Sequence, residues 1–385
     1  MIEKYYDGAI EQVAAGLGTV EKNYLLVRYS GQFSVENLND TKQLEKNEDI
    51  FVQVHEFETG EITCAYEPYL TMICDGFRRY MTGTFEEFME TCDVYYLHRP
   101  VLLGYFNQDN TGREEIILLD EVAYEQERML AALERMLCAI ADRHPVLFVL
   151  NRFQLASKST MQLTARFLKC ENCNIGLVLG VSDIQAMPEF LVPDWEMLYE
   201  TLDDGSKIYH IGNSGRKKEE TIDDEKYVDY GSEKVYRKLQ NMVEFLDFDQ
   251  AAYYLETIER KIKFDNLLVD DAARFRMWLL FVKVSILRQD IPKALEICED
   301  LEKIHLAGKE EECAYEQDYL IATAYMYQGK LKEALEMAGE TYRIAGKMSD
   351  DYRMFLSELL EAKIQMSGWY NIFFCAQDVK IKESL

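Results

Sequence analysis

Residues 24–40, YLLVRYSGQFSVENLND, have the outline of a phosphate-binding loop. A working loop reads Gly, four residues, then Gly-Lys-Ser/Thr, between a strand and a helix. Its backbone N–H groups cradle the phosphates, its Lys reaches the β and γ oxygens, and its hydroxyl binds Mg²⁺. With Gly31 in the first position, the last three positions fall on Glu36, Asn37 and Leu38. Each replacement is adverse. Glu36 puts an anion where phosphate would sit, Asn37 has no charge, and Leu38 cannot ligate a metal. Two unit charges 4 Å apart interact by about 4 kcal/mol at an effective dielectric near 20, so losing Lys while gaining Glu is a severe change. No Gly-Lys-Ser or Gly-Lys-Thr occurs elsewhere. Gly329-Lys330 and Gly346-Lys347, for example, are followed by Leu331 and Met348.

The other half of such a site is a strand ending in two acids, which order Mg²⁺ and water. Residues 143–183 have the surrounding pattern of strand, loop, helix, strand, but the first strand ends in Asn151-Arg152. A rival acidic pair, Asp120-Glu121, follows four apolar residues in EEIILLDEVAYEQ. An amphipathic stretch begins at once after it, so the two acids read as the first turn of a helix, where anions favour the dipole. A hairpin over VLLGYFNQDNTGREEIILLDE is an equal alternative. Cys170 and Cys173 form a CxxC with no second ligand pair for zinc, and read as ordinary thiols at a helix-to-strand turn. The five histidines (55, 98, 144, 210, 305) are too widely spaced for a metal pair and read as packing or surface residues. No G-x-S-x-G or H-E-x-x-H motif occurs.

Two kinds of element must position these residues. In the first half, NYLLVRYS, DIFVQVHEF, PVLFVL, IGLVLGV and SKIYHIG read as strands, several apolar at consecutive positions as in strands covered on both faces. Helical patterns lie between them at 2–15, 68–81, 122–142 and 158–169. Strand alternating with helix predicts a parallel, doubly wound α/β sheet over 1–215. The polar stretch 213–226 predicts a linker, set at 216–226. Beyond it, 227–385 reads as helix after helix, with one proline, Pro292, against five in the first half.

The second half also repeats. FLDFDQAAYYLETIERKI, ILRQDIPKALEICEDLEKI and YMYQGKLKEALEMAGETYRI share a short turn, a small residue and a helix. Their matching alanines, Ala252, Ala294 and Ala334, are 42 and 40 residues apart. QMSGWYNIFFCAQ, 365–377, reads as a fainter fourth copy. A period of this size predicts stacked helical hairpins of the tetratricopeptide kind. Ala322 and Ala334 would allow close helix approach, and Gly329 would make a turn. Unrelated antiparallel helices are the plainer alternative.

With the degenerate loop, the 143–183 pattern and the repeats together, the chain resembles the STAND class of signal-transduction ATPases, relatives of AAA proteins that carry tetratricopeptide-like arrays downstream. The fold this implies is a degenerate P-loop-NTPase-like α/β domain followed by an all-α solenoid. The resemblance covers about 20–380 in layout and is specific only across 143–183 and the repeats. The family's nucleotide-binding residues do not carry over. Phe153-Gln154-Leu155 keeps the character of the second motif's loop, but Asn151 and Arg152 replace its acids, and Val181-Ser182 stand where a sensing Arg is usual.

The expectation is therefore a non-enzymatic regulatory or scaffolding protein in bacterial signal transduction, without cofactor. A nucleotide-dependent switch with an atypical site is one alternative. Another is an input module of a transcription regulator or nucleotide cyclase whose output domain is absent. A net charge of −27 opposes nucleic-acid binding. No apolar run suits a membrane span, no signal-peptide core is present, and nine scattered cysteines suit a reducing, cytoplasmic setting. Protein binding is expected on the repeats, through Phe275, Met277, Trp278, Tyr319 and Tyr325. Acidic neighbours Glu311, Glu312, Glu316 and Asp318 would favour a basic partner.

Overall fold

The computed structural model describes residues 2–19, 23–29, 49–58, 61–108, 122–170, 174–182, 187–203, 208–211, 229–265 and 267–382. The loop Gly31–Leu38, the pair Asp120-Glu121, Cys173 and the linker 216–226 lie outside them. The chain forms two compact units, residues 1–228 with 241–250, and residues 229–240 with 251–385.

The first unit is built on five parallel strands: β1 (Tyr24–Tyr29), β2 (Phe51–Glu56), β3 (Val146–Asn151), β4 (Ile175–Ser182) and β5 (Ile208–Ile211). Their order across the sheet is β2-β3-β4-β1-β5. β3 and β4 are buried at every position, which is why VLFVLN and IGLVLGVS show no alternation. One face is covered by α1 (Ile2–Gly16), whose Tyr6, Ile10 and Val13 pack on Leu25, Val27, Val149 and Val178. The other face meets α2 (Tyr69–Tyr80) and α6 (Lys158–Lys169). There the Tyr69 ring stands edge-on to Phe148 and Phe167, at 4.7 and 5.2 Å between centroids.

Between β2 and β3 the chain also forms α3 (Phe85–Thr91), α4 (Arg99–Asn107) and α5 (Val122–Ala141). The first two are not among the helices that the spacing predicts, although both carry start signals. Thr84 and Glu87 form a capping box, and Pro100 opens α4. α7 (Val192–Asp203) follows β4.

Helices follow from 233 onward: α8 (Glu233–Glu244), α9 (Phe248–Phe264), α10 (Asp271–Leu287), α11 (Ile291–Leu301), α12 (Glu310–Tyr327), α13 (Leu331–Met348) and α14 (Asp351–Lys382). Asp270 and Asp290 cap α10 and α11 by accepting from Ala273 N and Lys293 N, at 2.9 and 3.2 Å. Consecutive helices pack from α10 to α14, and α10 also touches α12, as α12 touches α14. Ala252, Ala294, Ala322 and Ala334 are all buried, and Gly329 turns the chain at φ +78°. The fourth hairpin expected at 365–377 is not formed, because α14 runs through it unbroken. No proline interrupts it, a lone Gly368 costs only about 1 kcal/mol in a helix, and the Ser367 hydroxyl donates back to Lys363 O at 2.9 Å. Among the described residues no helix is long and apolar enough to cross a membrane.

Candidate functional site: the carboxyl ends of the strands

In an open parallel sheet, ligands bind outside the carboxyl ends of the strands where the strand order reverses. Here that place is the end of β1, between β4 and β5, beside the end of β3. The side chains gathered there bond to one another. The Tyr29 hydroxyl, from the last residue of β1, donates to Asn151 Oδ1, from the last residue of β3, at 2.7 Å. Both residues are buried. β4 lies between their strands, and the bond crosses it at Gly180. A Cβ there would stand 2.6 Å from Asn151 Oδ1 and 2.1 Å from the Tyr6 hydroxyl of α1. Only glycine admits both groups.

Burial pushes the Tyr29 hydroxyl up to about 12, against the pull of the Arg152 guanidinium and the Asn151 bond. Tyr6 is likewise raised, chiefly by burial and then by Tyr29 and Glu56. Both phenols are neutral across the physiological range.

Arg152 adopts left-handed backbone angles, φ 52° and ψ 42°, which turn the chain sharply off the end of β3. Its guanidinium pairs with Glu56, the last residue of β2, at 3.2 Å. Gln154 then closes a two-way amide bond with β4, donating to Ser182 O at 3.2 Å and accepting from Ser182 N at 3.4 Å. Ser157 caps α6 and bonds to Ser159 and Thr160 at 3.0 and 2.9 Å. Farther along, Ser159 N donates to the buried Asp247 carboxylate at 3.1 Å, and Lys158 pairs with Asp249.

These residues do not fit a nucleotide-bound Mg²⁺. At the end of β3 stand an amide and a guanidinium. The carboxylate beside them, Glu56, is already in an ion pair, and Mg²⁺ wants oxygen ligands without a competing cation. Among the described residues, no group of three or more His, Cys, Asp or Glu side chains is placed to hold a metal ion. Buried thiols are inert: burial pushes Cys74, Cys92 and Cys298 up to about 12, 11 and 12. Of the histidines, His98 is buried with its Nε2 2.8 Å from the Glu125 carboxylate, and His144 stacks on Tyr80 at 4.1 Å. Burial holds His98 below its ordinary value despite Glu125.

The sequence brought Asn151 and Arg152 forward but not Tyr6, Tyr29, Glu56 or Gly180. The available signal was the pair of glycines inside IGLVLGVS, because a glycine within a strand marks close approach.

In the second unit, Phe275, Met277 and Trp278 are 5%, 1% and 3% exposed. α10 buries residues around most of its circumference, and these three are packing residues rather than partner-facing anchors. Tyr319 and Tyr325 are partly buried against the core shared by α12, α13 and α14. The acidic residues divide. Arg353 pairs with Glu316 at 2.8 Å and Glu312 at 3.5 Å, which leaves them little pull on a partner. Asp318 instead faces Glu340 and Glu302. Burial first, then those two carboxylates, raises it to about 6.

No protein-family model matches this chain, and no curated protein does.

Proposed function

We propose that this chain is a non-catalytic regulatory or scaffolding protein of bacterial signal transduction, acting in the cytoplasm. Its first unit is a P-loop-type α/β domain of STAND descent that has exchanged nucleotide chemistry for structure. The helices of its second unit form a tetratricopeptide-like array that binds protein. The observation that carries this reading is the Tyr29–Asn151 bond with the adjoining Arg152–Glu56 pair. They fill the strand ends with neutral or mutually compensated groups where a nucleotide site needs carboxylates free for Mg²⁺. The sequence supports it independently, through Glu36, Asn37 and Leu38 in the loop. The packing of α10 on α12, and of α12 on α14, supports the array, since stacked hairpins bring alternate helices together.

Isothermal titration with ATP and GTP, with and without Mg²⁺, tests the first unit. No saturable heat is expected. Mg²⁺-dependent binding that Glu56→Gln abolishes would overturn the reading in favour of a nucleotide switch.

A further inference from the structure

α14 is apolar on two faces. Ser357, Leu360 and Ile364 form the buried face, with Leu360 and Ile364 packed on Ala322, Ala334 and Ala338 of α12 and α13. Away from it, Tyr352, Phe355 and Met366 are 51%, 57% and 70% exposed. Leu359, half-buried, and Ala362, exposed, lie between them. The positions 352, 355, 359, 362 and 366 advance by three and four in turn. That is the a and d spacing of a heptad seam, and in the sequence the same steps reach Trp369 and Phe373. A helix that only covers a core shows one such stripe. A second stripe, in strict heptads, is the pattern that a supercoiled partner helix covers.

The charges select the partner. With Tyr352 at a and Phe355 at d, the flanking g positions are Asp351, Glu358 and Gln365, and the e positions include Leu356 and Lys363. In a parallel pair of identical helices, a g residue faces the e residue of the following heptad on the other helix. Glu358 then faces the second copy's Lys363. Within one chain they cannot meet, because five residues apart on a helix they point ~140° from each other. Among the described residues neither side chain has an ion-pair partner. Lys363 is half-buried, and burial pulls its pKa down, so a carboxylate opposite would relieve it. An antiparallel pair would set g against g and e against e, so Glu358 would not meet Lys363.

We propose that α14 pairs with α14 of a second copy as a parallel two-stranded coiled coil, with Tyr352, Phe355, Leu359, Ala362 and Met366 in the seam and Glu358 opposite Lys363. At about 1.5 Å per residue the helix is long enough for four heptads. The inference uses nothing from the first unit, so the outcome of nucleotide titration leaves it untouched.

Sedimentation equilibrium of the full chain tests it. A dimer is expected. Glu358→Lys and Lys363→Glu should each raise Kd about tenfold, since each sets like charges opposite one another at both symmetric contacts. The double variant E358K/K363E should return Kd close to the parent's. Phe355→Glu should give monomer with an unchanged circular dichroism spectrum, and Met366→Cys should form a self-crosslink beyond any seen in the parent. A parent that stays monomeric up to about 100 µM, as it would if the seam takes a helix of another protein, overturns the proposal. So does a double variant as weak as either single one.

Discussion

Asn151 and Tyr29 come from strands that are not neighbours, and a bond between them exists because Gly180 of the strand between has no side chain. The two contributions can be separated. Gly180→Ala forces the Tyr6 hydroxyl and the Asn151 amide out of their places, and should lower stability by about 1–3 kcal/mol, the usual cost of overpacking a tight core. Tyr29→Phe keeps the packing but leaves the buried Asn151 oxygen without that donor, and should also cost about 1–3 kcal/mol. Urea denaturation measures both. A Tyr29→Phe midpoint equal to the parent's would mean that the bond adds nothing. At this scale the sequence brought Asn151 and Arg152 forward, because they end an apolar run and begin the loop after it. It could not disclose Tyr29, because its partner is fixed by strand order, and no local signal says that β4 lies between β1 and β3.

Elements were most legible where the pattern is local. The five strand segments and the helix over 158–169 follow from runs of apolar residues and from their spacing. α3 and α4 needed their capping signals weighed above their weak periodicity. α10 shows the opposite limit. A helix with buried residues around most of its circumference has no single readable face, so its aromatic residues could not be divided between core and surface from spacing.

On α12, Asp318 gives an element-level prediction with a definite sign. Its folded pKa, about 6, lies above the ordinary range of an aspartate. Its stabilising contribution is therefore present below the unfolded value and is lost as pH rises through about 6. Asp318→Asn removes that loss. The variant should be more stable than the parent at pH 7.5, by roughly 1 kcal/mol after allowance for its partial exposure, and the gain should shrink towards pH 5. Paired urea titrations at the two values check it, and a gain that grew on acidification would contradict the burial of this carboxylate among Glu302 and Glu340.

At the scale of the whole molecule, sequence position and structural membership part company. The polar stretch before 227 is a natural place to divide the chain by composition, yet residues 241–250 belong to the first unit. Phe245 is buried, with its ring 6.2 Å from Tyr66 and 5.7 Å from Tyr105. Leu246 O accepts from Gln126 at 2.7 Å, Asn241 Oδ1 accepts from Ala65 N at 3.2 Å, and Asp247 accepts from Ser159 N. Such contacts are non-local, and composition cannot show them. They make a fragment ending at 228 lose an aromatic anchor and leave several buried donors unmatched, whereas a fragment ending at 250 keeps both. Loss of the Phe245 ring alone costs about 3–5 kcal/mol, a large share of the stability of any single domain. The fragment 1–228 should therefore unfold at a clearly lower urea concentration than 1–250, and Phe245→Ala within 1–250 should move its midpoint most of the way towards that of 1–228. Coincident midpoints for the two fragments would show that residues 241–250 lie against the first unit without stabilising it.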